Sequence, residues 1–211
     1  KGVMEQAAFS WGRVTLKVRD RQQDLIVPLQ STAYTGGNVL PAGIEGVATD
    51  LKDKRKPLLY GQVFGVAPPC VNTSKLIYQI SAIALQAVDA VYDRGVALTA
   101  GATYPDQASM EASAPAAGQY RAWLAGGCVR LGASPTGTVT ADATQGAAAA
   151  DRTAAQIIKA LMIKAGIAAG DISAADVSAL DAACSYPLGV YLPHGQETSA
   201  AALIDEVANS I

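Results

Sequence analysis

The residues able to do chemistry are few and scattered. The one histidine, His194, lies in the segment Pro193-His194-Gly195-Gln196. A catalytic dyad or triad would need a nucleophile motif to go with it. GxSxG is absent, and none of Cys70, Cys128 and Cys184 sits in a recognisable catalytic context. His194 is therefore expected to be an exposed loop histidine. The three cysteines are an odd number, far apart and without a CxxC, which argues against a disulfide framework or a cysteine-rich zinc site. They are read as reduced, buried, small apolar residues.

The carboxylates offer no better lead. Asp205 and Glu206 are adjacent on a helical stretch and so point about 100° apart. Asp89 and Asp93 flank a strand end and fit turn duty. The mixed-sign run Asp50–Lys56 reads as a solvated loop rather than a metal or phosphate site. Neither GxxxxGK[ST] nor GxGxxG is present. Asn72-Thr73-Ser74 matches a glycosylation sequon, a weak signal by itself. Trp11, Trp123, Tyr78, Tyr92 and Tyr120 could serve as sugar platforms, but all fall on predicted strands, where a core role is favoured. No catalytic, cofactor-binding or metal residue is assigned.

The elements that would position these groups are organised around Lys75–Gly101. Leu76–Ile80 and Ala87–Tyr92 are runs rich in β-branched and aromatic residues, and Val96–Thr99 follows Asp93-Arg94-Gly95, which suits a tight reversal. Within Trp11–Asp20, Val14, Leu16 and Val18 alternate with Arg13, Thr15, Lys17 and Arg19, a strand with one buried face. Tyr60–Val66 reads as a strand. Gln107–Ala114 reads as a short helix. Gln119–Leu131 and Thr138–Thr144 read as two paired strands around the loop Gly132–Gly137, with a bulge or close backbone approach at Gly126-Gly127.

From Asp151 the period becomes 3.6. Ala154, Ile157, Ile158, Leu161 and Ala165 form a stripe, with Thr153 as N-cap, Gln156 in the capping-box position and Gly166 as the stop. Ser173 and Asp176 cap a second helix carrying Val177 and Leu180. Gly189–Leu192 is a short strand. Thr198 or Ser199 opens a third helix with Leu203, Ile204, Val207 and Ile211 inward. Strands first and helices later predict an α+β fold. Its antiparallel β-rich, small barrel-like part spans 1–148, with a long irregular excursion at 28–56, and a helix-rich α+β segment spans 149–211. An excursion of that length is expected to be functional, to contact a partner or to be disordered. As an inter-subunit arm it would be protease-sensitive alone and protected in an assembly.

Composition bounds the classes. The chain has 211 residues, 50% of them hydrophobic and only 16% charged, and a net charge of −2. A nucleic-acid binder usually concentrates a basic surplus on one face, and none is visible. No transmembrane run or signal peptide is found. So lightly charged a surface suits either a subunit packed against neighbours or a neutral, Ala-rich bacterial domain. The start on Lys1 and the finish within an amphipathic helix suggest a fragment of a larger protein.

Several segments together resemble one family. VPLQSTAYTGGNVLPAGIEGVATDLKDKRKPLLYGQVFGVAPPCVNTSKLIYQI, beginning at Val27, is followed in order by AVDAVYDRGVALTAG, YRAWLAGGCVRLGASPTGTVTADATQG, TAAQIIKALMIKAG and the closing TSAAALIDEVANSI. The series resembles the central tail-tip or baseplate-hub proteins of tailed bacteriophages and prophages, from Val27 onward. No single motif in it is catalytic or ligand-binding. The resemblance implies a structural virion protein, made in the bacterial cytoplasm, that forms a ring, usually trimeric, at the distal end of the tail tube. There it would join the tube to tip or fibre proteins around the DNA exit channel. It implies no enzyme activity, no cofactor, no membrane partner and no sequence-specific nucleic-acid recognition. The like charge expected of a channel lining is not legible as a pattern. Two other classes remain open: a carbohydrate- or receptor-binding module of a tail fibre or secreted protein, and a hydrolase such as a tail-associated lysin.

Overall fold

The computed structural model describes residues 2–11 and 13–211; along 2–8 and 14–21 it describes the backbone alone. The chain opens with a hairpin of β1 (Gly2–Ser10) and β2 (Arg13–Asp20). These two strands make their own antiparallel sheet, irregular in register between Met4 and Gln6. The predicted burial of Val14, Leu16 and Val18 lies outside the described side chains. The 3-10 turn Arg21–Leu25 leads on to the excursion 28–56.

Then come β3 (Leu58–Val66), β4 (Cys70–Asn72), β5 (Ile77–Gln79), β6 (Ala87–Asp93), β7 (Val96–Ala97) and β8 (Thr99–Ala100). They are followed by α1 (Gln107–Ala112), β9 (Gln119–Trp123), β10 (Cys128–Leu131), β11 (Val139–Thr144), α2 (Ala154–Lys164), α3 (Ala174–Ala183), β12 (Gly189–Leu192) and α4 (Ala200–Ala208). The order is α+β.

Two five-stranded sheets form the body, ordered β4-β5-β10-β9-β8 and β12-β3-β11-β6-β7. Every pair in them is antiparallel except β8 with β9. The sheets enclose one core, built from Leu59, Val63 and Val66 of β3, Val91 of β6, and Tyr120, Val129, Leu131, Val139, Ala141 and Ala143 of β9 to β11. Alternation does this: Val139, Ala141 and Ala143 point inward and Thr140 and Asp142 outward. The short chain Val96–Ala100 belongs to one sheet through β7 and to the other through β8, joining them at one edge.

Two strand expectations need correction. Gln119–Leu131 is not one strand: the 3-10 turn Leu124–Gly126 and Gly127 fold it into the β9–β10 hairpin. Gly127 has φ +61°, and an added Cβ would lie 2.1 Å from the Ser81 carbonyl oxygen, so only glycine fits this close approach. Nor does β11 pair with that hairpin; it lies between β3 and β6 in the other sheet. The reason is local chemistry at the intervening loop. The Asp93 carboxylate at the end of β6 accepts the Thr136 and Gly137 N–H groups at 2.8 and 2.9 Å, which delivers the chain beside β6. The runs around Leu76 and Ala87 likewise enter different sheets. The reversal at Arg94-Gly95 is as expected, with both φ angles positive (52° and 80°).

The outer face of each sheet is covered differently. α2 and α4 lay Ala154, Ile157, Leu161, Leu203 and Val207 over Leu58, Tyr60 and Leu192 of β3 and β12. Thr153 caps α2 and Ser199 caps α4, each accepting a backbone N–H with its hydroxyl. Gln156 does not reach back to its cap. Its amide donates to Asp181 of α3 at 2.6 Å, tying the two helices together. Ile211, expected inward, is 49% exposed because it lies past the last turn of α4.

The other sheet is covered by α1 and by the excursion 28–56. The excursion is irregular but closely packed, with Tyr34 and Leu51 buried against Val71, Ile77 and Cys128. The Tyr34 hydroxyl donates to Gln79 Oε1 at 2.7 Å, and Asn72 Nδ2 donates to the Gly43 carbonyl at 2.7 Å. Within the charge run, Leu51 is buried, Lys56 pairs with Glu45, and Arg55 meets Glu197 at 2.6 Å. The fully solvated reading of that run is thus corrected: its two ends are tethered, while Lys52, Asp53 and Lys54 between them are exposed.

Candidate functional site

His194 is half-buried, not the exposed loop residue expected. It follows β12 where the chain crosses the base of the excursion, and its Nδ1 is buried without a hydrogen-bond partner. Gln30 sits at the same junction, 1% exposed, its amide donating to the Lys56 and Pro193 carbonyls at 2.9 and 2.8 Å. Burial, with the Lys54 ammonium adding to it and Asp50 opposing, holds the imidazole pKa below its ordinary 6.5. This suits a neutral packing residue. Among the described residues no nucleophile or carboxylate hydrogen-bonds to it.

The thiols are equally quiet. All three are free. Cys128 is fully buried, and burial pushes its pKa up to about 12; burial also raises that of Cys70. Thiols held protonated are poor nucleophiles. Cys70 and Cys184 are only partly buried, which corrects the expectation for those two.

The carboxylates do structural work. Asp93 ties the loop before β11, and its pKa is lowered by those backbone donors. Asp89 accepts the Thr144 hydroxyl at 2.6 Å. Asp142 accepts the Gly65 N–H at 2.7 Å and the Tyr92 hydroxyl at 3.0 Å. Asp205 and Glu206 are exposed on α4. Among the described residues no group of three or more His, Cys, Asp or Glu side chains could hold a metal ion. The sequon asparagine, Asn72, is 1% exposed with its amide spent on two carbonyls, so in the fold it is closed to modification. Among the described residues no helix is long and apolar enough to cross a membrane.

The aromatic residues divide. Tyr120 is core, Tyr78 and Tyr92 are half-buried, and Trp123 packs half-buried beside Tyr34 and Tyr104. Trp11 is the exception. It lies in the β1–β2 turn, not on a strand, and is fully exposed at 105%. Phe9, beside it at the end of β1, is 79% exposed. The hairpin therefore presents two large aromatics at its tip, where exposed Arg13 is paired across the turn with Ser10.

A second feature was not anticipated. Between α2 and α3 runs a groove of about 360 Å³, floored by Ile158, Met162, Ile172, Val177 and Leu180, with Asp176 on its rim. α3 buries none of its residues. Ile158 lines this groove half-buried while also packing against the helical-layer core, to which α2 contributes Ala154, Ile157 and Leu161 as buried residues. The signal was present in the α2 stripe, which is wider than one packing contact needs. Its partner face on α3 could not be read without knowing how the helices cross.

Neither a family model, nor a curated protein, nor a solved structure matches the chain.

Proposed function

We propose that this chain is a structural subunit of a bacteriophage tail tip or baseplate hub. It assembles with copies of itself as a ring around the distal end of the tail tube and connects the tube to tip or fibre proteins. Its work is mechanical, with no catalytic residue and no cofactor, and its place is the virion after synthesis in the bacterial cytoplasm. The observation that carries this reading is the β1–β2 hairpin, which forms a two-stranded sheet of its own, apart from the body sheets, and ends in exposed Phe9 and Trp11. A two-stranded ribbon is marginal in water without a third strand or a packed face, and exposed apolar tips mark contact sites. The ordered series of hub-like segments supports the same role. It falls on the excursion and β3 to β5, on β6 to β8, on β9 to β11, on α2 and on α4.

A second reading, a carbohydrate- or receptor-binding module, draws on the same exposed Trp11, since indole faces are common sugar platforms. Electron microscopy of the full-length protein, with mass photometry to count subunits, separates the two. A closed ring with a central channel is the expected result. A monomer that binds glycans through Trp11 would replace the hub reading with the second.

A further inference from the structure

The hairpin tip and the α2–α3 groove are both apolar surfaces, and the charges beside them are opposite in net sign. The tip offers an indole and a phenyl ring in solvent, with exposed Arg13 at the first position of β2. The groove offers about 360 Å³ over an apolar floor, and its charged lining residues are Asp171 and Asp176 against Lys159, a volume within the size range of pockets that enclose a bound group. The charge division runs through the whole chain. The hairpin, residues 2–20, carries three Lys and Arg against two Asp and Glu, whereas 22–211 carry eleven against sixteen. The hairpin is thus nearly balanced, with a net charge of +1, on an anionic body. Since Trp11 is wholly exposed, it is not seated in the groove of its own chain.

We propose that the hairpin tip of one copy seats Trp11 and Phe9 in the α2–α3 groove of a second copy, with Arg13 facing Asp176. The two surfaces are different patches of one chain, so the contact is head-to-tail. Such a heterologous contact closes into a ring when its rotation permits and otherwise propagates. The contact deepens the hub reading and rests on its premise of self-assembly. A central aromatic anchor backed by a charged rim is the usual distribution of binding energy at an interface. The charge pair adds steering and salt sensitivity.

The test uses the full chain. Mass photometry and sedimentation follow self-association against concentration, while the difference in emission between the native chain and Trp11→Ala isolates the Trp11 signal. The expected result is a concentration-dependent blue shift of that signal. Self-association weakens at least tenfold in Trp11→Ala and in Met162→Arg, with melting temperature unchanged in Trp11→Ala because that side chain is fully exposed. Arg13→Glu and Asp176→Arg each weaken association, and the double variant recovers it. Rings that persist unchanged in Trp11→Ala and Met162→Arg would overturn this contact and leave the hub reading standing. A chain that stays monomeric at the highest concentration reached, with no blue shift, would also overturn it. The hub reading would then be judged on the assembled particle.

Discussion

At the scale of single residues, the polar groups that looked most like chemistry are spent on holding the fold. His194 is different, since its Nδ1 is buried without a hydrogen-bond partner, and its burial has a measurable consequence. Burial and Lys54 disfavour its imidazolium in the folded chain, so its folded pKa lies below the unfolded 6.5. The unfolded chain therefore takes up the proton first as pH drops. The contribution of the neutral imidazole is fully present above 6.5 and is lost as pH falls through the folded value. The native chain should lose more melting temperature than His194→Gln between about pH 7.5 and about pH 5. Parallel losses in the two proteins would show that the buried Nδ1 does not govern acid stability.

At the scale of elements, the excursion 28–56 behaves as a folded cover and not as a free arm. Tyr34 is 1% exposed, its hydroxyl satisfies Gln79, and backbone bonds from Tyr34 to Lys54 and from Asp53 to Tyr34 close the loop on itself. Tyr34→Phe leaves Gln79 Oε1 buried without that donor. The cost should be about 1–3 kcal/mol by denaturant unfolding. Limited proteolysis of the isolated native chain should spare 28–56, and the variant should be cut there sooner. Rapid cleavage of the native chain within this segment would return it to the role of a partner-ordered arm.

At the scale of the whole molecule, the three buried clusters are stacked through shared sheets. The strand pair β3–β12 contributes Leu59 to the inter-sheet core and Leu58, Tyr60 and Leu192 to the helical layer. β12 lies after residue 148 yet is hydrogen-bonded along Leu58–Gly61 of β3. Residues 1–148 and 149–211 are therefore expected to melt together. Calorimetry should give one transition with matching calorimetric and van't Hoff enthalpies. Two resolved transitions would instead assign the helical segment a stability of its own.

The sequence by itself determined most of the local structure, because local structure depends on neighbours a few residues apart. The alternation in Val139–Thr144, the reversal at Arg94-Gly95 and the caps Thr153, Ser173 and Ser199 all specify their elements through short-range sterics and hydrogen bonds. Tertiary structure alone decided which strands became neighbours. Asp93 captures the loop before β11 from more than forty positions away in the chain, and no periodicity encodes that. It also decided exposure. Trp11 has the composition of a core residue, and only the turn that places it past the last strand pair turns it outward. The α2–α3 groove belongs to the same category. Each helix wrote its own stripe, but the gap between them exists only through the crossing that Gln156 and Asp181 hold in place.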